Sequence, residues 1–335
     1  MRAWQLNEPY GLEALKLVEL PEPEPGPGEV LVRVRAVSLN YRDLLIAKGD
    51  YSRRLPLPFI PGSDGAGEVL RAGPGARRFA AGDRVVAAFF QRWLKGPIAA
   101  EVRAHALGAG YRGMLAELVV LEEEGLLPVP EHLGFEEAAC LPCAAVTAWH
   151  ALEAGEPATS GESIVTQGSG GVSLFALQFA KLCGARVIAT SSTEERCARL
   201  ASLGADATIN YRADPEWDRA VLELTQGRGA DRIVEVGGAG TLQRSLSAIR
   251  VGGLIAVIGV LSGKGSFDPM PVIMKSARLL GISVGSREMF EAMNRAIVAH
   301  RLRPVIDRVF PMAELPAALR HMEAGAHFGK ICLAL

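Results

Sequence analysis

The sequence predicts an α/β chain with a doubly wound, parallel six-stranded sheet in its middle and a mainly β region assembled from both ends. Three observations carry this. Six short apolar, β-branched runs alternate with helix-spaced segments between residues 163 and 284, which is the pattern of a parallel sheet covered on both faces. Residues 1–126 instead read as short strands and turns. Glycine is high at 37 and aromatics are low at 6%, a mix that suits sheets, helices and tight turns better than a packed helical bundle.

The 335 residues suffice for two domains at roughly 150 residues each. With 49% hydrophobic and 22% charged residues, the chain can bury a core and is not disordered. Lys and Arg number 36 against 37 Asp and Glu, so no basic excess supports nucleic-acid binding. No segment approaches the roughly 18 apolar residues that span a bilayer. The longest apolar stretch, 252–261, has the length of a buried strand. The start meets Glu8 before a signal-like core forms, so the expected location is cytoplasmic. Five cysteines, an odd and sparse set, are not a disulfide framework.

In chain order, 29–37 alternates apolar and charged residues, as a half-buried strand does. The Pro-rich run 21–28 before it reads as a stiff surface connection or a Pro-rich ligand motif. Segments 65–70 and 83–88 are further strands. The texture changes near 135, where 136–152 carries helical spacing broken at Pro142. Strands are then expected at 163–167, 186–190, 207–210, 232–236, 254–259 and 280–284, with helices at 171–183, 194–203, 216–226, 240–250 and 270–277. The tail, with strand 305–310, helix 313–324 and strand 330–335, is too short to fold alone and completes the first region. The expected domains are 1–135 with 287–335, and 136–286.

Between strand 163–167 and helix 171–183 stands Gly168-Ser169-Gly170-Gly171-Val172-Ser173. It nearly matches the dinucleotide pattern G-x-G-x-x-G, with Ser173 in the third glycine place. The first glycine allows the turn, and Gly170 and Gly171 let the backbone approach a pyrophosphate at the helix N-terminus. A Gly-rich turn can be plain turn chemistry. The strand before it and the helix after it favour dinucleotide binding.

An NAD site places an acid after the second strand to hold the ribose. Here stand Ser191, Ser192 and Thr193, with Arg196 a helical turn on. Hydroxyls plus a cation suit a 2′-phosphate, so NADPH is expected ahead of NADH. Ser192 or Thr193 also serves as a helix cap.

These residues resemble the medium-chain dehydrogenase/reductase superfamily, which includes zinc alcohol dehydrogenases and zinc-free quinone oxidoreductases. Landmarks are Asn40-Tyr41-Arg42-Asp43, Pro61-Gly62-Ser63-Asp64-Gly65-Ala66-Gly67, the stretch from Pro142 to Thr147, the glycine loop, and Val257-Ile258-Gly259-Val260. The resemblance covers almost the whole chain. It implies a GroES-like catalytic domain from both ends around a Rossmann NAD(P)-binding domain. It also implies Thr147 and Val260 near nicotinamide, and Lys330 at the cofactor phosphates unless it is a plain solvated lysine. Tyr211 is placed to flank the adenine or the 2′-phosphate.

In the zinc-dependent branch the metal ligands are Cys, His and Cys. Their places here hold Asn40, Ser63 and Cys143, a poor zinc set. Residues 89–115 lack the cysteines of a structural zinc lobe, and the six histidines show no ligand spacing. No metal is therefore expected. Cys140-Leu141-Pro142-Cys143 reads as two buried thiols rather than a redox motif.

Without a Lewis acid, oxidation of a simple alcohol loses its means of forming an alkoxide. A hydrophobic quinone or α,β-unsaturated carbonyl needs less help, because delocalised oxygen takes the charge. Tyr51 resembles the proton donor of the enoyl-reductase branch; its other reading is a loop aromatic stacked over the cofactor. Asn40 would hydrogen-bond the ribose or a substrate oxygen. Arg42 would stabilise an enolate or pair with Asp64. Phe89, Phe90 and Trp93 line an acceptor pocket or pack as core. The expected function is a zinc-independent, NADPH-dependent reductase of quinones or enones. The alternatives are an NAD(P)-dependent alcohol or aldehyde dehydrogenase and an NADPH-binding protein with little catalysis. The last strand of the parallel sheet is expected at its edge, where a second copy would pair to give a homodimer.

Overall fold

The fully buried runs of the sequence become the inner strands of the central sheet. The structure, a computed structural model, describes residues 1–259, 261–263 and 265–335. It forms two compact units, Met1–Val146 with Val284–Leu335, and Thr147–Ser283. The first changeover lies eleven residues beyond the break suggested by composition. The segment Leu141–Ala145 belongs to the first unit because Cys143 N–H donates to Asp64 Oδ2 at 3.1 Å. In addition, Cys140 Sγ lies 3.5 Å from Cys332 Sγ.

In the central unit, strands Ser163–Gln167, Arg186–Ser191, Ala207–Asn210, Ala230–Glu235, Ile249–Val257 and Arg278–Gly281 are all parallel. Their spatial order is third, second, first, fourth, fifth, sixth. The sixth strand is at the edge, where the sequence put it, but starts and ends earlier. Val284, in the left-handed region at φ 53°, cannot continue a strand. Helix Leu242–Ala248 stops short of the expected 250, because Ile249 already pairs with Ala230. Val165, Ile188, Ile233 and Ile255 pack one sheet face against Val221, Leu242 and Leu246. Leu254, Ala256 and Ile282 pack the other against Ala151 and Ala154.

In the first unit, strands run in the order Ile306–Pro311, Lys330–Ala334, Glu29–Leu39, Asp64–Ala72, Arg84–Ala87, Leu126–Pro128. Strand Leu118–Glu122 also pairs with Glu29–Leu39. Strand register gathers distant polar residues. Ile331 faces Leu39, and Ser38 faces Asp64, so Lys330, Asn40 and Ser63 lie at one end of three neighbouring strands. A helix, Tyr41–Lys48, occupies a stretch the sequence rendered as strands and turns. Asp43 Oδ2 accepts from Asn40 N–H at 2.8 Å to open it, and Gly49 at φ 76° closes it. Among the described residues, no helix is long and apolar enough to cross a membrane.

Candidate functional site

The glycine loop is an open turn that leads into a helix N-terminus. Gly168 sits at φ 76°, where a side chain would be strained, and its N–H donates to the Thr190 carbonyl at 2.8 Å. Gly170 caps the twelve-residue helix Gly171–Leu182. The Leu174 N–H donates to the Gly170 carbonyl at 3.0 Å, so the N–H groups of 171–173 point out of the helix end. A Cβ at Gly168 or Gly170 would meet nothing within 4 Å. Open space therefore borders the backbone on which a pyrophosphate would rest. Ser169 is buried, and Val172 is half-buried. Ser173 is buried too, and its hydroxyl donates to the Gln167 carbonyl at 2.5 Å. It locks strand to helix in the third glycine's place. These residues fit a dinucleotide.

The strand order reverses between Ser163–Gln167 and Ala230–Glu235, the switch point where such sheets bind ligands. Two residues missed by the sequence reading meet across it. Gln167 Nε2 donates to Glu235 Oε2 at 2.8 Å. Glu235 Oε1 accepts from the N–H groups of Gly237 at 2.9 Å and Gly238 at 3.0 Å. The available signal was a polar residue ending each of two buried strands, with glycines after Glu235.

At the end of the second strand, Ser191 and Ser192 are buried. Ser191 accepts, through its carbonyl, from the Tyr211 N–H at 2.9 Å, which brings the half-exposed Tyr211 beside it. The cap of the next helix is Thr193, whose Oγ1 accepts from the Arg196 N–H at 3.2 Å. Arg196 itself is half-buried. Of the two acids beside it, Glu194 is held by Asn210 Nδ2 at 2.7 Å. Thr147, the first residue of the unit, is buried. Val260 lies outside the described residues.

The first unit assembles a second polar cluster from four distant segments. Lys330 Nζ donates to the Leu39 carbonyl at 2.7 Å and to Asn40 Oδ1 at 2.6 Å. Asn40 Nδ2 donates to Ser63 Oγ at 3.2 Å, and Ser63 Oγ donates to Asp64 Oδ1 at 2.9 Å. Burial raises the Asp64 carboxyl above its ordinary range, against the pull of Lys330, Asn40 and Ser63. Burial, reinforced by Asp64, pushes the Cys143 thiol up to about 12. An amide, a hydroxyl, a thiol this reluctant to ionise and an adjacent ammonium do not fit zinc, which is held by thiolate and neutral imidazole. Among the described residues, no three His, Cys, Asp or Glu side chains gather as metal ligands. Lys330, expected at the cofactor phosphates, is 4% exposed and committed inward, because strand register turns it onto Asn40. The Asn40 amide is likewise engaged within the cluster rather than presented whole to a ligand.

Arg42 and Tyr51 come together. The Arg42 guanidinium lies 5.0 Å from the Tyr51 ring centre and 4.7 Å from that of Phe89, a cation between two π faces. Its Nη1 donates to the Leu107 carbonyl at 3.0 Å, not to Asp64, so the pairing considered from sequence is not made. Its Nε and Nη2 are buried without a protein partner. Tyr51 is half-exposed. Phe89, Phe90 and Trp93 are buried and packed edge-on, with ring centres 4.7 and 5.9 Å apart. They are core on which Arg42 rests.

Comparison with known proteins agrees with both halves. Residues 26–131 match the alcohol dehydrogenase GroES-like domain, and residues 171–299 match the zinc-binding dehydrogenase family. A zinc-type alcohol dehydrogenase-like protein of Schizosaccharomyces pombe is 40% identical over 98% of this chain and 97% of its own length. The quinone oxidoreductase of Homo sapiens is 30% identical over 100% and 98%. Among solved structures, an NAD-dependent alcohol dehydrogenase superposes with a TM-score of 0.91 at 36% identity. A mycobacterial protein complexed with NADPH superposes at 0.86 and 29%. Each of these two covers the whole of both chains. The chain belongs to the medium-chain dehydrogenase/reductase superfamily and is an NAD(P)H-dependent oxidoreductase.

Proposed function

We propose that this chain is a zinc-independent, NADPH-dependent reductase acting on a hydrophobic quinone or α,β-unsaturated carbonyl, working in the cytoplasm as a homodimer. The donor set Asn40, Ser63 and Cys143, with Lys330 seated on the first of them, carries the reading. Such a set supplies no Lewis acid to turn an alcohol into an alkoxide. An acceptor that delocalises its own charge can do without one.

Gly168, Ser169, Gly170, Gly171 and Val172 hold the pyrophosphate in this reading. Ser191, Ser192 and Arg196 take the 2′-phosphate, Tyr211 flanks the adenosine, and Thr147 borders the nicotinamide. The cofactor, when bound, supplies the hydride. Tyr51 holds the proton that completes the reduction, with the Arg42 guanidinium 5.0 Å from its ring centre. The unpartnered Nε and Nη2 of Arg42 stabilise oxygen that gains negative charge. Asn40 orients the polar floor.

NADPH oxidation followed with a quinone, an enone and a saturated ketone, alongside elemental analysis, tests this. Turnover of the first two without zinc is expected. One tightly held zinc per chain, with activity lost on chelation, overturns it. The names of the relatives favour a second reading, an alcohol or aldehyde dehydrogenase, which faster oxidation of a simple alcohol would establish.

A homodimer suits the exposed apolar edge of the central unit. There Leu280 lies on the edge strand, and Ile273 and Met274 are about 70% exposed on the helix before it. Light scattering should give a dimer that Ile273→Glu weakens. A monomer across the micromolar range counts against it.

A further inference from the structure

Arg42 carries a charge that no carboxylate of the protein pairs with. Its guanidinium lies over the rings of Tyr51 and Phe89, 5.0 and 4.7 Å from their centres. Its Nη1 donates to the Leu107 carbonyl at 3.0 Å. These contacts fix the group, but all of them are neutral. The two aspartates of the region are turned to other donors. Asp43 Oδ2 takes the Asn40 N–H, and Asp64 takes the Ser63 hydroxyl and the Cys143 N–H. Arg42 Nε and Nη2 stay buried without a hydrogen-bond partner. Among the described residues, no other arginine leaves two nitrogens in that state. Nε and Nη2 share one edge of the planar guanidinium, the edge that grips two oxygens side by side.

A buried cation needs an answering charge, and enone reduction needs a donor at the carbonyl oxygen that becomes an enolate. One kind of ligand meets both needs at a single edge: a ketone with a carboxylate on its carbonyl carbon. We propose that the acceptor is a β,γ-unsaturated α-keto acid, held with one carboxylate oxygen and the ketone oxygen across Arg42 Nε and Nη2. This rests on the reductase reading and narrows it to one class of enone. Tyr51, half-exposed against the guanidinium, is the ring that shifts to admit the acid. Hydride from NADPH forms a C–H bond at the far alkene carbon, the π bond breaks, and its electron pair moves to the ketone oxygen. A proton then bonds to the near alkene carbon and restores the ketone, leaving the nicotinamide oxidised. The carboxylate is charged throughout and serves binding. The ketone oxygen gains charge only on the way and serves rate.

Benzylidenepyruvate, its methyl ester and its saturated counterpart separate these parts. The ester keeps the activated alkene and loses the charge. With NADPH and the full chain, KM for the acid should lie about ten- to a hundredfold below that for the ester. Arg42→Gln should bring the two within about threefold, and Arg42→Lys, a charge without the fork, should recover only part of the difference. The saturated acid has no alkene to reduce, so its binding to the NADP-bound enzyme, read by calorimetry, needs no turnover. It should weaken at least about tenfold in Arg42→Gln. No reduction of any enone, with the saturated acid still held through Arg42, would fault the reductase reading and support the anion site. Circular dichroism and melting check each fold, and Arg42→Met replaces Arg42→Gln if the latter does not fold. Equal KM values for acid and ester overturn the proposal, as does saturated-acid binding that loss of the guanidinium changes by less than about threefold.

Discussion

Both units bury aspartates, and Asp231 of the central unit and Asp43 of the first are answered in opposite ways. In the central unit, Asp231 accepts from Arg228 at 2.6 and 2.7 Å, from the Ser163 N–H at 2.8 Å and from Arg250 Nε at 2.5 Å. Burial works against its charge, but these partners hold its carboxyl down at about 2. In the first unit, Asp43 takes the Asn40 N–H on Oδ2, while its Oδ1 has no partner. Burial there outweighs the nearby Arg42 and lifts the carboxyl to about 6. The central unit gives both oxygens of Asp231 charged or backbone donors, although Arg232 Nε in the same unit is buried without a hydrogen-bond partner. The first unit leaves Asp43 Oδ1 and Arg42 Nε and Nη2 unpaired, in the region that carries the proposed chemistry.

The largest expected effect strikes the satisfied side. Glu235 is fully buried and takes donors from Gln167, Gly237, Gly238, Thr241 and Ser245. Glu235→Ala orphans several at once and should cost about 3–5 kcal/mol in urea unfolding. A cost below about 1 kcal/mol would break the contrast.

The aspartates come next, and their signs differ. The folded pKa of Asp43, about 6, lies above the ordinary value of 3.8. Its contribution therefore falls as pH rises from about 4 through about 6. Asp43→Asn, which can still accept from Asn40, should abolish that fall and add up to about 3 kcal/mol at pH 7. The folded pKa of Asp231, about 2, lies below 3.8. Its stabilisation is present above about pH 4 and lost as pH falls through about 2. Asp231→Asn should cost about 2 kcal/mol at pH 7 and almost nothing near pH 2. Unfolding curves at several pH values read both, and slopes of the same sign would undo the comparison.

The cofactor loop sharpens the contrast from the legible side. A hydrogen bond to a charged group contributes about 1.5–3 kcal/mol. Arg196→Ala should therefore weaken NADPH roughly ten- to a hundredfold while sparing NADH. Ser191→Asp should reverse the preference, because a carboxylate repels phosphate and accepts ribose hydroxyls. Dissociation constants for both cofactors check this. Tighter NADH binding by the wild type would show that Glu194 or Glu195 plays the acid's part.

What the sequence alone determined is short in range. The alternation of buried strands and helices from 163 to 257 and the loop Gly168–Gly171 are written in neighbouring residues, because strand periodicity, turn chemistry and helix starts are local. The side-chain types at Asn40 and Ser63 were equally legible, since residue identity needs no fold. Helix Tyr41–Lys48 was not legible, being two turns long and set among strands. Only the tertiary structure decided the rest. Cys140 meets Cys332, and Lys330 meets Asn40, across 192 and 290 residues. Lys330 reads as a solvated lysine or a phosphate ligand until strand Lys330–Ala334 pairs antiparallel with Glu29–Leu39. That register sets the side to which its side chain turns, and shifting it by one residue would turn the lysine to the other face.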